Sequence, residues 1–156
     1  MKGLIQRVSE ASVAVSGETV GRIGPGLLLL LGVEKGDALN EAKDLCRKIL
    51  SYRVFPDEQG RMNVSVLDSG GSLLVVPQFT LAADTSSGTR PGFSLAAAPG
   101  PANQLYREFV VLARQALGDA RVGTGEFGAD MKVALVNDGP VTFMLETGRK
   151  EACTKM

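Results

Sequence analysis

The chain has no histidine and no tryptophan among its 156 residues. Histidine is the side chain that exchanges protons most readily near neutral pH, so its absence excludes the Ser-His-Asp and Cys-His hydrolase arrangements. A serine or threonine nucleophile would need help from a lysine, a carboxylate, backbone dipoles or the substrate itself. Cysteine is scarce too: Cys46 and Cys153 stand far apart and form no Cys-x-x-Cys pair. That argues against a disulfide framework or a structural zinc site, so no metal and no cofactor are expected, and a reducing compartment, the cytoplasm, fits best. Net charge is also absent, since seventeen Lys and Arg balance seventeen Asp and Glu. No overall field draws the chain to DNA or to a membrane, and any nucleic-acid contact must be local. The apolar run 27–31 is far below the roughly 20 residues that span a bilayer.

What is present suits one globular domain: 44% of residues are hydrophobic and 22% charged, over a length that supports a single core. Leu4, Gln6 and Val8 alternate with Ile5, Arg7 and Ser9, which predicts a strand carrying Arg7. Residues 12–15 lead through Ser16-Gly17, a hairpin turn, into 18–23. The run from Leu27 to Val33 does not alternate, as expected of a strand buried on both faces. Asp37 is placed to cap a helix with Leu39, Ala42, Leu45, Cys46, Ile49 and Leu50 on one face, so Cys46 is expected in the core. Short strands are expected at 52–55 and 62–67, with turns at 56–60 and 68–71. In 72–81 an apolar strand is interrupted by Pro77 and by the polar Gln78 and Thr80, which implies an edge or a bulge. The segment is either a site or a strand passing from core to surface.

Residues 82–101 form a long loop in which Arg90 is the only basic residue, a surface arginine or a phosphate contact. A helix follows from Pro101 to about Leu117, then strands at 121–127, 131–136 and 141–145. Between the last two, Asn137-Asp138-Gly139-Pro140 stacks four turn formers, either an ordinary hairpin turn or something more. About eight strands and two long helices predict an α/β single domain with a curved or barrel-like mixed β-sheet flanked by the two helices.

Six stretches together resemble the D-aminoacyl-tRNA deacylase family. They are 1–8 (Met-Lys-Gly-Leu-Ile-Gln-Arg-Val), 32–37, 78–85 (opening Gln78-Phe79-Thr80), 90–93 (Arg-Pro-Gly-Phe), 127–131 (ending at Met131) and 137–142 (Asn-Asp-Gly-Pro-Val-Thr). The likeness covers 1–146 in order and at family spacing, and leaves 147–156 as a polar tail. It implies a homodimeric enzyme that hydrolyses the ester joining a D-amino acid, or glycine mischarged on tRNA(Ala), to the 3′ end of tRNA. In that family the Gly-Pro bond, here Gly139-Pro140, is cis and reaches into the partner subunit's site, where its carbonyls exclude an L side chain. Arg7 would brace this turn, Asn137 and Met131 would join the substrate-selecting residues, and Gln78, Phe79 and Thr80 would line the catalytic pocket for the terminal adenosine. Thr80 is one candidate nucleophile. The other mechanism uses the terminal ribose 2′-hydroxyl with backbone N–H groups near Phe79, and it is favoured because no base is available to activate Thr80.

One departure stands out. The family's Ser-Gln is Pro77-Gln78 here, which removes a hydroxyl and a backbone N–H beside the site. A sister class of deacylases with relaxed chirality has Pro-Gln at that point, but it has Ala where Phe79 stands. Relaxed chirality, and a non-catalytic module that binds an RNA end or nucleotide, are therefore the alternative readings.

Overall fold

A computed structural model describes residues 1–148. Its sheet is organised on β1 (Lys2–Val15), which pairs antiparallel along one edge with β8 (Met131–Glu146). The other edge of β1 pairs first with β3 (Gly26–Gly32) and then with β2 (Glu18–Ile23). Ser16 (φ 50°) and Gly17 (φ 81°) make the hairpin turn between β1 and β2, with both central residues left-handed as a two-residue loop requires. β3 continues in parallel to β6 (Ser72–Pro77), and β6 to β7 (Val122–Thr124). The path β2-β1-β3-β6-β7 then curls until β7 abuts β2, nearly closing a barrel.

Gly21 permits this closure, because a Cβ on it would stand 2.3 Å from the Thr124 carbonyl oxygen. Gly21→Val is expected to cost about 2–3 kcal/mol, the range of overpacking in a rigid setting, seen as a lower urea midpoint with unchanged slope. A wild-type midpoint would mean that the two strands do not abut.

The leucine run is buried on both faces, as expected. Leu27, Leu29 and Leu31 point outward with Leu73 and Val75 onto α1 (Leu39–Ser51) and α3 (Pro99–Leu117), around Leu45, Ile49 and Phe109. Leu28, Leu74 and Val76 fill the barrel with Val8, Ala11, Val13 and Ile23. β1 serves both layers because its register against β8 shifts between Val8 and Glu10. A one-residue shift exchanges the faces of a strand, so Ile5 lies under the helices while Ala11 and Val13 lie in the barrel. Cys46 is core, and burial pushes its thiol up to about 11.

Several expectations are corrected. Asp37 does not cap α1: Ala38 holds that position, and Glu41 Oε2 accepts from the Ala38 N–H at 2.7 Å. The Asp37 carboxylate instead meets the Met1 ammonium at 2.9 Å and accepts from the Glu34 N–H at 2.7 Å. A buried cation needs a counter-charge more than an exposed helix end needs a cap. The strand expected at 52–55 is displaced to β4 (Phe55–Pro56). The one at 62–67 stops as β5 (Met62–Val64), because Ser65 Oγ accepts from the Asp68 N–H at 3.1 Å and starts the single helical turn α2 (Val66–Ser69). α3 begins at Pro99, not Pro101, with Pro tolerated in the first turn. The strand expected at 121–127 is only β7, preceded by a 3₁₀ turn (Asp119–Arg121). Thr147, the first residue of the polar tail, is anchored: its N–H donates to the Met1 carbonyl at 3.0 Å, and its own carbonyl accepts from the Met1 ammonium at 2.7 Å. The rest of the predicted tail, 149–156, lies outside the described residues.

Candidate active site

The Asn-Asp-Gly-Pro segment is not a hairpin turn. Thr142 pairs with Gln6 and Asn137 with Val8, so four residues of β8 stand opposite Arg7 alone. The strands expected at 131–136 and 141–145 are therefore one strand running in one direction, with 138–141 expelled from it as a knuckle. Local chemistry closes its base: Asn137 Oδ1 accepts from the Val141 N–H at 2.7 Å, and Asn137 Nδ2 donates to Thr142 Oγ1 at 2.9 Å. Arg7 holds it from below, Nε donating to the Asp138 carbonyl at 2.9 Å and Nη1 to the Val54 carbonyl at 2.7 Å. The Gly139–Pro140 peptide is cis, and Gly139 sits at φ 147°. A Cβ on Gly139 would lie 2.7 Å from Val141 Cγ2 and 2.8 Å from Val141 N, so the turn demands glycine. Asp138, Gly139 and Pro140 are exposed.

The second cluster is built where β6 ends. Gln78 N–H donates to the Leu31 carbonyl at 2.8 Å, and on the other side the ladder ends as Gly125 N–H donates to the Val75 carbonyl at 2.9 Å. Pro77 therefore needs no donor, and the expected edge lies at that point. Beyond it the chain does not continue as strand to 81 but turns into a 3₁₀ helix (Phe79–Ala82). The N–H groups of Phe79 and Thr80 open that turn, where no intrahelical acceptor exists, and they meet none elsewhere among the described residues. Gln78 Nε2 donates to Thr80 Oγ1, so the neighbour of this hydroxyl is an amide donor and not a base. Phe79, 59% exposed, lies tilted against Phe93 with ring centroids 5.2 Å apart. Met131 closes one side: its Sδ and Pro77 Cδ would lie 2.8 and 3.3 Å from a Cβ on Gly125, and Sδ accepts from the Glu126 N–H at 3.4 Å. Underneath, the Tyr106 hydroxyl donates to the Val75 carbonyl at 3.1 Å. Burial pushes that hydroxyl up to about 12, so it stays protonated and pins α3 to the strand end.

The predicted residues thus fall into two groups. Arg7, Asn137, Gly139 and Pro140 share the knuckle, while Gln78, Phe79, Thr80 and Met131 share the shelf at the end of β6. Met131 and Asn137 are six residues apart on β8, about 20 Å of strand, so a chain's knuckle does not overhang its own shelf. Two surface hollows, of about 450 and 300 Å³, are lined by Glu10, Arg22 and Val136 in one case and by Lys43, Cys46 and Leu112 in the other, and neither includes Gln78, Phe79 or Thr80. Phe93 and Tyr106 were not expected at the site. Phe93 was visible as a rare large residue in a polar loop and as the end of the Arg-Pro-Gly-Phe stretch, with no role attached, and Tyr106 as one more apolar position of a helix. Among the described residues no group of three or more His, Cys, Asp or Glu is placed to hold a metal ion, and no helix is long and apolar enough to cross a membrane.

Two solved structures share this fold. One, "c-Myc DNA Unwinding Element Binding Protein", superposes with a TM-score of 0.92 at 41% identity, covering 96% of this chain and 100% of that one. The other, "a probable eukaryotic D-amino acid tRNA deacylase", has a TM-score of 0.79 at 19% identity over 94% of this chain and 98% of that one, which speaks for the fold alone. The family model described as D-Tyr-tRNA(Tyr) deacylase matches residues 4–146. The D-aminoacyl-tRNA deacylase of Marinobacter nauticus is 81% identical over 156 residues, all of both chains, and that of Erwinia tasmaniensis 58% identical over 146 residues, 94% of this chain and 99% of that one. The chain belongs to the D-aminoacyl-tRNA deacylase family. It is a hydrolase of carboxylic ester bonds, with aminoacyl-tRNA as its substrate.

Proposed function

We propose that the enzyme proofreads chirality in the cytoplasm as a homodimer in which each knuckle completes the partner's shelf. The shelf of Gln78, Phe79 and Thr80 receives the terminal adenosine and its ester, and Met131 borders it. The backbone carbonyls of the partner's Gly139–Pro140 occupy the space that an L side chain needs. D-amino acids and glycine, including glycine mischarged on tRNA(Ala), fit without collision. The observation that carries this reading is an exposed knuckle that is braced by Arg7 and Asn137 yet stands about 20 Å along its strand from its own shelf. Val136, Phe143 and Met144 are exposed on the same strand, 50, 36 and 43%, which supports coverage by a second copy. In a two-fold dimer the same contact forms twice, so both shelves are completed.

In the reaction, water adds to the ester carbonyl, the acyl–oxygen bond breaks, and the amino acid leaves as the acid while the 3′-oxygen takes a proton. The free N–H groups of Phe79 and Thr80 are suited to the developing oxyanion. The terminal ribose 2′-hydroxyl assists the proton transfer, since Thr80 has only the Gln78 amide beside it. Pro77 contributes no hydroxyl, so placing the water falls to Gln78 and the substrate.

Thr80→Ala is accordingly expected to keep kcat within about tenfold of wild type, because loss of a lining group is mild and loss of a nucleophile costs far more. A fall beyond about 10⁴-fold with fold and tRNA binding intact would make Thr80 the nucleophile. The whole reading is tested with D-tyrosyl- and L-tyrosyl-tRNA and purified protein. D hydrolysis is expected to exceed L by at least about 100-fold, or about 2.7 kcal/mol of discrimination. Equal accelerated rates would establish the relaxed-chirality alternative, and background rates for both the non-catalytic module.

A further inference from the structure

We propose that Lys35 and Arg90 grip the phosphates of the single-stranded nucleotides that precede the terminal adenosine, an inference that rests on the shelf being the adenosine site. Both side chains are exposed, and neither has an ion pair among the described residues. The fold sets them at either end of the segment that carries Phe93. Lys35 N–H donates to the Leu95 carbonyl at 2.9 Å, and Glu34 bridges Ala96, which places Lys35 beside the loop two residues after Phe93. Arg90 lies three residues before Phe93 and two before Gly92, whose N–H and carbonyl both bond to Asp84 at 3.0 and 2.7 Å. Phe93 itself lies against Phe79, so two exposed cations flank two exposed rings at the mouth of the shelf. Aromatic faces with flanking cations are what a single-stranded nucleic acid requires, bases stacking while phosphates are neutralised.

Among the described residues no nearby acid is ion-paired with either cation. Glu34 and Asp37, on either side of Lys35, are both turned to the Met1 ammonium at 3.3 and 2.9 Å. The Asp84 carboxylate is engaged by the Ser86 N–H at 2.9 Å. With zero net charge on the whole chain, attraction to phosphates has to come from direct contact with exposed cations such as these two.

The test compares wild type with the double variant Lys35→Gln/Arg90→Gln on two substrates: D-tyrosyl-tRNA and 3′-O-(D-tyrosyl)adenosine, which has no phosphate. For the tRNA, kcat/KM of the variant is expected to fall about three- to tenfold through KM, as two exposed ion contacts allow. The slope of log(kcat/KM) against log[salt] should become shallower by about 1.4, two phosphates at about 0.7 each. For the adenosine ester the two proteins should agree. Unchanged kinetics and salt slope on the tRNA would overturn the proposal, and so would an equal loss on both substrates, which would place the residues at the ester itself. If wild type hydrolysed neither substrate, the adenosine-site reading would fall and take this one with it.

Discussion

Arg7→Ala is expected to lower the ratio of D to L hydrolysis by about 10- to 100-fold. The guanidinium, 14% exposed, bonds two carbonyls remote from each other in sequence, Asp138 in the knuckle and Val54 after α1. A hydrogen bond from a charged donor contributes about 1.5–3 kcal/mol, and each 1.4 kcal/mol is tenfold. Its loss leaves the knuckle tied only by Asn137, so the carbonyls that should meet an L side chain give way. The D rate, which needs no collision, should fall less. Arg7→Lys should be intermediate, because an ammonium cannot hold two acceptors in the fixed fork geometry of a guanidinium. The check is the pair of rates on D- and L-tyrosyl-tRNA for each variant. An unchanged ratio with both rates lowered together would make Arg7 a merely structural residue.

Asp37→Ala should give the largest loss of stability, about 3 kcal/mol or more. Met1 is 1% exposed and the Asp37 side chain 6%. Removing one partner of a buried pair strands the other, at about 3–5 kcal/mol, far above the yield of an exposed pair. Glu34, at 3.3 Å and 27% exposed, and the Thr147 carbonyl would be the remaining acceptors. The expected readout is a thermal midpoint lower by roughly 6–12 °C. A shift of under about 2 °C would show that the ion pair barely exceeds its own desolvation.

Features set by local periodicity were legible in the sequence. The leucines of β3, the hairpin at Ser16-Gly17 and the apolar face of α1 each follow from spacing matched to environment. What failed depended on partners remote in sequence. Asp37 looked like a helix cap because nothing nearby reveals that an ammonium 36 residues earlier would claim it. The knuckle looked like a hairpin because four turn formers in a row normally reverse a chain. Instead β8 keeps its direction along β1, and the pairing on both sides of Arg7 holds it there. At the site, Pro77 did announce the end of β6, but the 3₁₀ turn that frees the Phe79 and Thr80 N–H groups was hidden, as was the stacking of Phe93. Gln78 and Thr80 stood out at the break in 72–81, and Asn137, Gly139 and Pro140 as turn formers, but their roles, and the choice of Phe79, Arg7 and Met131, came only through the family resemblance.

Co-expression of two damaged chains under different tags tests the shared site most directly. One carries Gly139→Val, whose Cβ would crowd Val141 and displace the knuckle. The other carries Gln78→Glu with Phe79→Ala, which spoils the shelf. The Gly139→Val homodimer should hydrolyse D- and L-tyrosyl-tRNA at similar rates, and the shelf homodimer neither. Random pairing makes half the dimers mixed, each with one intact shelf facing one intact knuckle, so about one quarter of all shelves become strict for D while about one quarter stay relaxed, and the mixture should hydrolyse D about twice as fast as L. A mixture whose D and L rates remain equal would show that the knuckle acts within its own chain, contradicting the cross-subunit filter.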